Sequence, residues 1–503
     1  MQSANFLDWK SPDHISSLID LLIENAKKQP ERLFCTDRNY SATYAEALET
    51  VQGFACIHAP KIKGKDVVIS MNNSSNFLIT YLGVLFSGGV PALLNANLPL
   101  KTGKNLIESL EPAEVFADQA LPFTAGNQVV VDAKMLGDWR AKSGAIDSAC
   151  GQADDPVMYL FTGGTTGIPK RVLYTHRKII VAGERMCWGW PMRDAEVFLP
   201  IAPFSHVYGF LMGVCVPLLS AGSSVMIERF RPADALDAIE KYHVTVLGGG
   251  PPAIYQALMS VPDLAERDIS HLRVCPGGGA PFPLAVHDNW EKMTGKRIYE
   301  GYGMTEIAPI AVNTEKSGYR AGTSGKPVPD TEIKIVSLDG SRTTLTKGNP
   351  GEICVRGPHL MDGYFKNPEE TKTALIDGWV FTGDIGFIDD DGFLTITDRK
   401  KDVILHNGFN VFPREVEEAL LKHPQVIAAC VIGIPDARSG EVVAAFICCR
   451  DGQDVSDEEL VDHCRDYLLS YRLPTRIERL EKMPLTPAGK LDRMALRGVA
   501  QTA

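Results

Sequence analysis

The chain has 503 residues, 45% of them hydrophobic and 22% charged, a balance that excludes disordered, collagen-like and coiled-coil architectures and is too long for a single core. Its formal net charge of -11 disfavours nucleic acid as a partner, because a phosphate backbone calls for a basic face. Eleven cysteines without C-x-x-C pairs or nearby histidine ligands point to neither a zinc site nor a disulfide framework, which suits a reducing cytoplasm.

In chain order, the first residues carry no basic-then-apolar export pattern. Ile15, Leu18, Ile19, Leu22, Ile23 and Ala26 recur at helical spacing and predict an amphipathic helix. Phe77 to Leu94 is the most membrane-like stretch. Gly83, Ser87, Gly88, Gly89 and Pro91 break it into pieces shorter than the ~20 residues a span requires, so it reads as buried α/β core. Short apolar runs at Val67–Met71, Val129–Val131, Met158–Phe161, Val197–Pro200, Ser224–Ile227 and Val244–Leu247 alternate with helical patterns, which predicts largely parallel, doubly wound sheets.

Tyr159 to His176 (YLFTGGTTGIPKRVLYTH) is the densest signal. Gly163, Gly164 and Gly167 let backbone N–H groups approach an anion, Thr162, Thr165 and Thr166 add hydroxyl donors, and Lys170 adds a positive charge. Pro169 before that lysine and Arg171 after it exclude a Walker A loop, which needs Gly before the lysine and Ser or Thr after it. A glycine-rich hairpin without a ligand is the bland alternative.

From Thr331 the texture changes to strands and turns at Glu332–Ser337, Gly351–Val355, Trp379–Thr382 and Gly392–Thr397, an antiparallel unit expected to close the large domain. The charged run Asp398-Arg399-Lys400-Lys401-Asp402 marks the boundary, giving domains 1–398 and 399–503. Beyond it, Pro413 to Leu421 is a helix with proline at its start.

Four further segments complete the pattern: Tyr299–Glu306 (YEGYGMTE), Phe381–Gly386 (FTGDIG), Asp398–Glu418 (DRKKDVILHNGFNVFPREVEE) and Pro484–Arg493 (PLTPAGKLDR). In this order, from about Met158 to Arg493, the chain resembles the adenylate-forming (AMP-binding) superfamily, in its acyl-CoA synthetase branch. The resemblance implies a large N-terminal domain of doubly wound sheets with a small β-unit, followed by a smaller, mobile α+β domain. It implies an ATP-dependent acid:CoA ligase, AMP-forming, using Mg²⁺ and coenzyme A.

The resemblance also assigns roles. Thr162, Gly163, Gly164, Thr165, Thr166, Gly167 and Lys170 hold the β- and γ-phosphates, and Glu306 holds the metal. Gly279, Ala280, Tyr302 and Gly303 frame adenine, and Thr305 reaches the α-phosphate. Asp384 accepts from the ribose hydroxyls, Arg399 is a second ribose or phosphate contact, and Lys490 bridges carboxylate and α-phosphate. Lys401 is the hinge on which the small domain turns, bringing Gly408 to the nucleotide for the second step.

His206, Tyr208, Gly249, Gly278 and Gly301 are expected at the acyl pocket, with His206 also counted with Lys490, Thr305 and Glu306 among the catalytic residues, though a core histidine and a packed tyrosine are open alternatives. Amino-acid-activating relatives place an aspartate near His206 to pair with the ammonium. Its absence predicts a plain fatty or aromatic carboxylic acid. Arg171 stands where relatives commonly have Gly and adds a large cation beside the phosphate loop. The thiol acceptor is CoA or a discrete carrier protein. A non-catalytic acyl-AMP or nucleotide sensor is the alternative from another class, and a homodimer is the default assembly.

Overall fold

In the computed structural model the described residues are 10–123, 127–144, 146, 148, 151–162, 169–436, 438–450, 455–484 and 491–502. The chain forms two compact units, Met1–Glu332 with Arg356–Val380, and Ile333–Val355 with Phe381–Ala503.

The first unit holds two largely parallel sheets, as the alternation of apolar runs and helices predicts. One is six-stranded, in the order Asn127–Val130, Glu114–Ala117, Asp66–Ser70, Val90–Leu94, Pro156–Phe161, Arg171–Thr175. Its pairs are parallel until the final hairpin, which turns antiparallel. The other is five-stranded, in the order Val246–Gly248, Val197–Pro200, Ser223–Val225, Leu33–Thr36, Ser41–Thr43, with only the last pair antiparallel.

The helix Ser75–Phe86 contacts strands of both sheets, and all its residues except Asn76 are buried. That double burial explains an apolar run with no polar face. No helix among the described residues is long and apolar enough to cross a membrane. The opening helix runs Leu18–Lys28, where Ser17 and Asp20 form a reciprocal capping box that satisfies two end N–H groups. Its apolar stripe, Leu18, Ile19, Leu21, Leu22 and Ala26, is buried.

A third sheet in this unit orders Cys275–Gly278, Ile298–Met304, Ile307–Val312 and Lys326–Pro327. Its first pair is parallel and the rest are antiparallel.

In the second unit, Asp384 to Ile388 pairs antiparallel with Leu394 to Arg399. A second sheet follows, in the order Phe409–Val411, Ile404–His406, Gly440–Cys449, Val426–Asp436, with Arg476–Arg479 beside Gly440–Cys449. The helix Pro413–Leu421 has the predicted bounds and carries Pro413 at its first turn. The antiparallel strands group with the C-terminal residues, although the sequence boundary at 398 places them with the larger domain. Arg414 accounts for the grouping: its backbone N–H donates to Asp398 Oδ2 at 2.9 Å, and its guanidinium donates to the Ile396 carbonyl at 2.5 Å.

The architecture is therefore the expected α/β fold with a larger N-terminal and a smaller C-terminal unit.

Candidate active site

The ends of the glycine-threonine loop are fixed by the hairpin that flanks it. Strands Pro156–Phe161 and Arg171–Thr175 pair antiparallel, and the Thr162 N–H donates to the Lys170 carbonyl at 3.0 Å. Gly163, Gly164, Thr165, Thr166 and Gly167 lie outside the described residues. Lys170 Nζ stands 2.6 Å from Glu370 Oε2 and 4.8 Å from the centre of the Tyr364 ring. Arg171 lies with its guanidinium 5.4 Å from the centre of the Phe365 ring, and its carbonyl accepts the Phe365 N–H at 2.8 Å. The cation unexplained by the sequence thus has an aromatic face to stack on.

Tyr364 and Glu370 carried no sequence signal as site residues. They reach the loop because Tyr364 bridges antiparallel to Val172, laying Met361 to Phe365 along the strand that leaves the loop. Only this long-range pairing, which has no local periodicity, brings them in.

Thr305 and Glu306 form the two-residue turn of a hairpin, closed by the pair Met304 and Ile307. The register slips between Tyr302 and Met304, a bulge at Gly303 that re-aims the strand just ahead of the turn. Three bonds hold the turn. Tyr174 Oη donates to the Thr305 carbonyl at 2.9 Å, the Met361 N–H donates to the Glu306 carbonyl at 2.9 Å, and Tyr364 Oη donates to Glu306 Oε1 at 2.6 Å. Glu306 is buried at 6% exposure, so its carboxylate is costly unless bonded. Burial and this neighbouring charge both push the Tyr364 phenol upward, which keeps it a donor at neutral pH. Tyr302 is half-buried on the strand Ile298–Met304, opposite Ala311.

The two glycine-rich segments lie side by side. Gly250 and Gly277 bridge in parallel, the Leu247 N–H donates to the Val274 carbonyl at 3.0 Å, and the Gly278 N–H donates to the Gly250 carbonyl at 3.1 Å. A Cβ on Gly249 would fall 1.8 Å from the Pro276 carbonyl oxygen, so this close backbone approach demands glycine. A Cβ on Gly278 would sit 3.0 Å from the Gly301 carbonyl oxygen, and one on Gly301 would sit 3.2 Å from the Trp190 ring. Close packing is a reason for glycine at these positions. Gly279 and Ala280 follow the strand Cys275–Gly278 at a bend.

Tyr208 and Tyr255 both donate to the Pro276 carbonyl, at 3.4 and 2.7 Å. Tyr208 is half-buried, and His206 precedes the short helix Val207–Phe210 with a half-buried side chain. Asn73, absent from the sequence-based expectations, clamps this segment: its Oδ1 accepts the Phe204 N–H at 2.9 Å and its amide donates to the Ala202 carbonyl at 2.9 Å. The helix then widens into a π-turn at Leu211–Cys215, a distortion frequent at functional sites.

In the second unit, Asp384 and Arg399 are cross-strand partners, and Arg399 Nε lies 3.1 Å from Asp384 Oδ1. Asp384 is buried while Arg399 is largely exposed. Lys401 is exposed, and desolvation of its ammonium pulls its pKa below the ordinary lysine value. Two buried aspartates flank it. Asp398 accepts the N–H groups of Arg399 and Arg414, at 2.8 and 2.9 Å, and burial pushes its carboxyl up to about 6. Asp402 faces Arg497 at 3.2 Å. Gly408, at the turn between Ile404–His406 and Phe409–Val411, has φ +80°, a conformation that favours glycine. Lys490 lies outside the described residues.

The arrangement in the first unit suits a hard cation delivered on a polyphosphate. Glu306 offers an oxygen donor, and no group of three or more His, Cys, Asp or Glu side chains that could hold a metal occurs among the described residues. Mg²⁺ takes such sites, binding through one or two carboxylates and the substrate's phosphates.

A family profile described as AMP-binding enzyme matches residues 22–365, and one described as AMP-binding enzyme C-terminal domain matches residues 415–490. A Bacillus subtilis protein named long-chain-fatty-acid–CoA ligase is 34% identical over 485 residues, covering 86% of this chain and 85% of that relative. A Salmonella typhimurium protein of the same name is 36% identical over 354 residues, covering 69% of this chain but 62%, less than two thirds, of that relative. Among solved structures, ATP-bound MatB from Rhodopseudomonas palustris matches with a TM-score of 0.89 at 26% identity, over 96% of this chain and 99% of that one. The chain belongs to the AMP-binding enzyme family, in its acid–CoA ligase branch.

Proposed function

We propose that this chain is an ATP-dependent acid–CoA ligase acting on a long-chain fatty acid. Support for the acid comes from the names of the Bacillus and Salmonella relatives and from the lack of an aspartate near His206 to pair with an ammonium group. The observation that carries the reading is the Thr305–Glu306 turn, whose buried carboxylate is bonded to Tyr364, the same ring that carries the Lys170 ammonium.

In the first step a carboxylate oxygen attacks the α-phosphorus of ATP. The bond from that phosphorus to the bridging oxygen breaks, and pyrophosphate leaves with the electron pair. Lys170, Thr162 and the loop residues 163–167 hold the β- and γ-phosphates, and Thr305 donates to the α-phosphate. Glu306 would hold Mg²⁺, which offsets phosphate charge when bound. Asp384 and Arg399 hold the ribose, Gly279, Ala280, Tyr302 and Gly303 frame adenine, and Lys490 meets charge that peaks in the transition state.

In the second step the CoA sulfur attacks the acyl carbonyl carbon, loses its proton, and AMP departs. The division at residue 398, with Lys401 as the hinge and Gly408 facing the nucleotide, serves this step. His206, Tyr208, Gly249, Gly278 and Gly301 line the acyl side. Free cysteines, ten among the described residues, suit a reducing cytoplasm, and a homodimer is the expected assembly.

Mass spectrometry of the product tests this. A C12 to C18 fatty acid with ATP, Mg²⁺ and CoA is expected to give acyl-CoA and AMP. Acylation of a phosphopantetheinyl carrier protein, with none of CoA, would shift the acceptor. Turnover of aromatic acids alone would overturn the choice of acid.

A further inference from the structure

Tyr364 touches both charged groups of the phosphate side. Its hydroxyl donates to Glu306 Oε1 at 2.6 Å, and its ring lies under Lys170 Nζ at 4.8 Å. The first contact is short and charge-assisted, and both partners are buried, Tyr364 at 8% and Glu306 at 6% exposure. The tyrosine is itself anchored by main chain, through the Val172 bridge and through its own N–H, which donates to Thr371 Oγ1 at 2.9 Å. A rigid phenol therefore fixes the rotamer of the carboxylate, while the ring face gives the ammonium a place to rest beside the loop.

We infer that Tyr364 is a positioning residue for the adenylation step: its hydroxyl sets Glu306 for the divalent cation, and its ring keeps Lys170 near the nucleotide phosphates. This rests on the roles proposed above for Glu306 and Lys170. A carboxylate held in one orientation binds the cation without first losing rotamer freedom, which is how residues behind a metal ligand strengthen metal binding.

The test uses Mn²⁺ as the metal probe and α,β-methylene-ATP as a nucleotide that cannot react, on the full-length protein. Tyr364→Phe removes only the hydroxyl. It is expected to weaken Mn²⁺ binding to the enzyme–nucleotide complex, read by electron paramagnetic resonance, about 10-fold, while binding of the nucleotide in EDTA stays at the wild-type value. Tyr364→Leu removes the ring as well and is expected to weaken metal-free nucleotide binding about 3-fold in addition. Tyr364→His keeps a ring and a donor and guards against a folding defect in the phenylalanine variant, the expected order of Mn²⁺ affinity being wild type, His, Phe. Wild-type Mn²⁺ affinity in folded Tyr364→Phe overturns the inference. So does equal loss of metal-bound and metal-free nucleotide binding, which is what a merely loosened site gives. Glu306→Gln separates the two levels. Wild-type Mn²⁺ affinity in that variant overturns the role of Glu306 itself, whereas loss there with none in Tyr364→Phe overturns only the role of Tyr364.

Discussion

Lys170 and Glu370 are 200 residues apart in sequence, yet their charged atoms stand 2.6 Å apart beside the glycine-threonine loop. Both are partly exposed, so the pair is worth only about 0.5–1 kcal/mol. In the role proposed for Lys170, ATP phosphates and Glu370 compete for the same ammonium. Glu370→Gln is therefore expected to tighten ATP binding by about 2- to 5-fold, the ratio that this energy gives. Lys170→Ala is expected to weaken binding, with no further effect of Glu370→Gln in the double variant. Isothermal titration of all four proteins checks the cycle, and additive effects would contradict it.

The two half-reactions are expected to separate by residue. Lys490→Ala is expected to lower adenylate formation by at least about 100-fold, since in its proposed role the lysine supplies a charge contact made in the transition state, while thioester formation from supplied acyl-adenylate survives. Lys401→Pro is expected to do the reverse, because it fixes a backbone dihedral at the proposed hinge. Single-turnover measurement of each half-reaction decides, and equal loss of both in either folded variant would contradict the assignment.

Asp398 gives a pH signature. Its carboxyl is raised from 3.8 to about 6, chiefly by burial, so the folded protein holds this proton more tightly than the unfolded chain. Folding gains from that proton below pH 3.8 and loses the gain as pH rises toward 6. Relative to Asp398→Asn, wild-type stability is thus expected to decline between about pH 4 and 6. Thermal unfolding of both proteins across this range checks it, and parallel curves would contradict the assignment.

Gly249 is expected to tolerate no side chain. With a Cβ 1.8 Å from the Pro276 oxygen, Gly249→Ala must push the paired backbone segments away from each other, at a cost of about 1–3 kcal/mol. Urea unfolding measures this. A midpoint equal to wild type would mean that the pairing of these segments is not tight in solution.

Much of the fold is legible in the sequence. Parallel strands show as short apolar runs, and the helix Pro413–Leu421 is visible in the proline at its start, because those signals are local. The Thr305–Glu306 segment is visible as a motif, but its geometry as a two-residue turn is not. Tyr364, Glu370 and Asn73 are not legible at all: each acts through a pairing or clamp between segments far apart in the chain, and such contacts leave no periodicity. Arg171 stands out as an oddity, and its aromatic partner Phe365 becomes evident only when the two strands are laid together.

The proposed function requires that hydroxyl and cationic groups brought from separate segments make the α-phosphorus of ATP attackable by an organic acid. Exchange of labelled pyrophosphate into ATP measures that step alone, without CoA. With Mg²⁺ and a long-chain fatty acid the label is expected to enter ATP at a rate that depends on the acid and falls to background when the acid is omitted. Absence of acid-dependent exchange across a broad panel of carboxylates, in folded protein that binds ATP, would contradict the account.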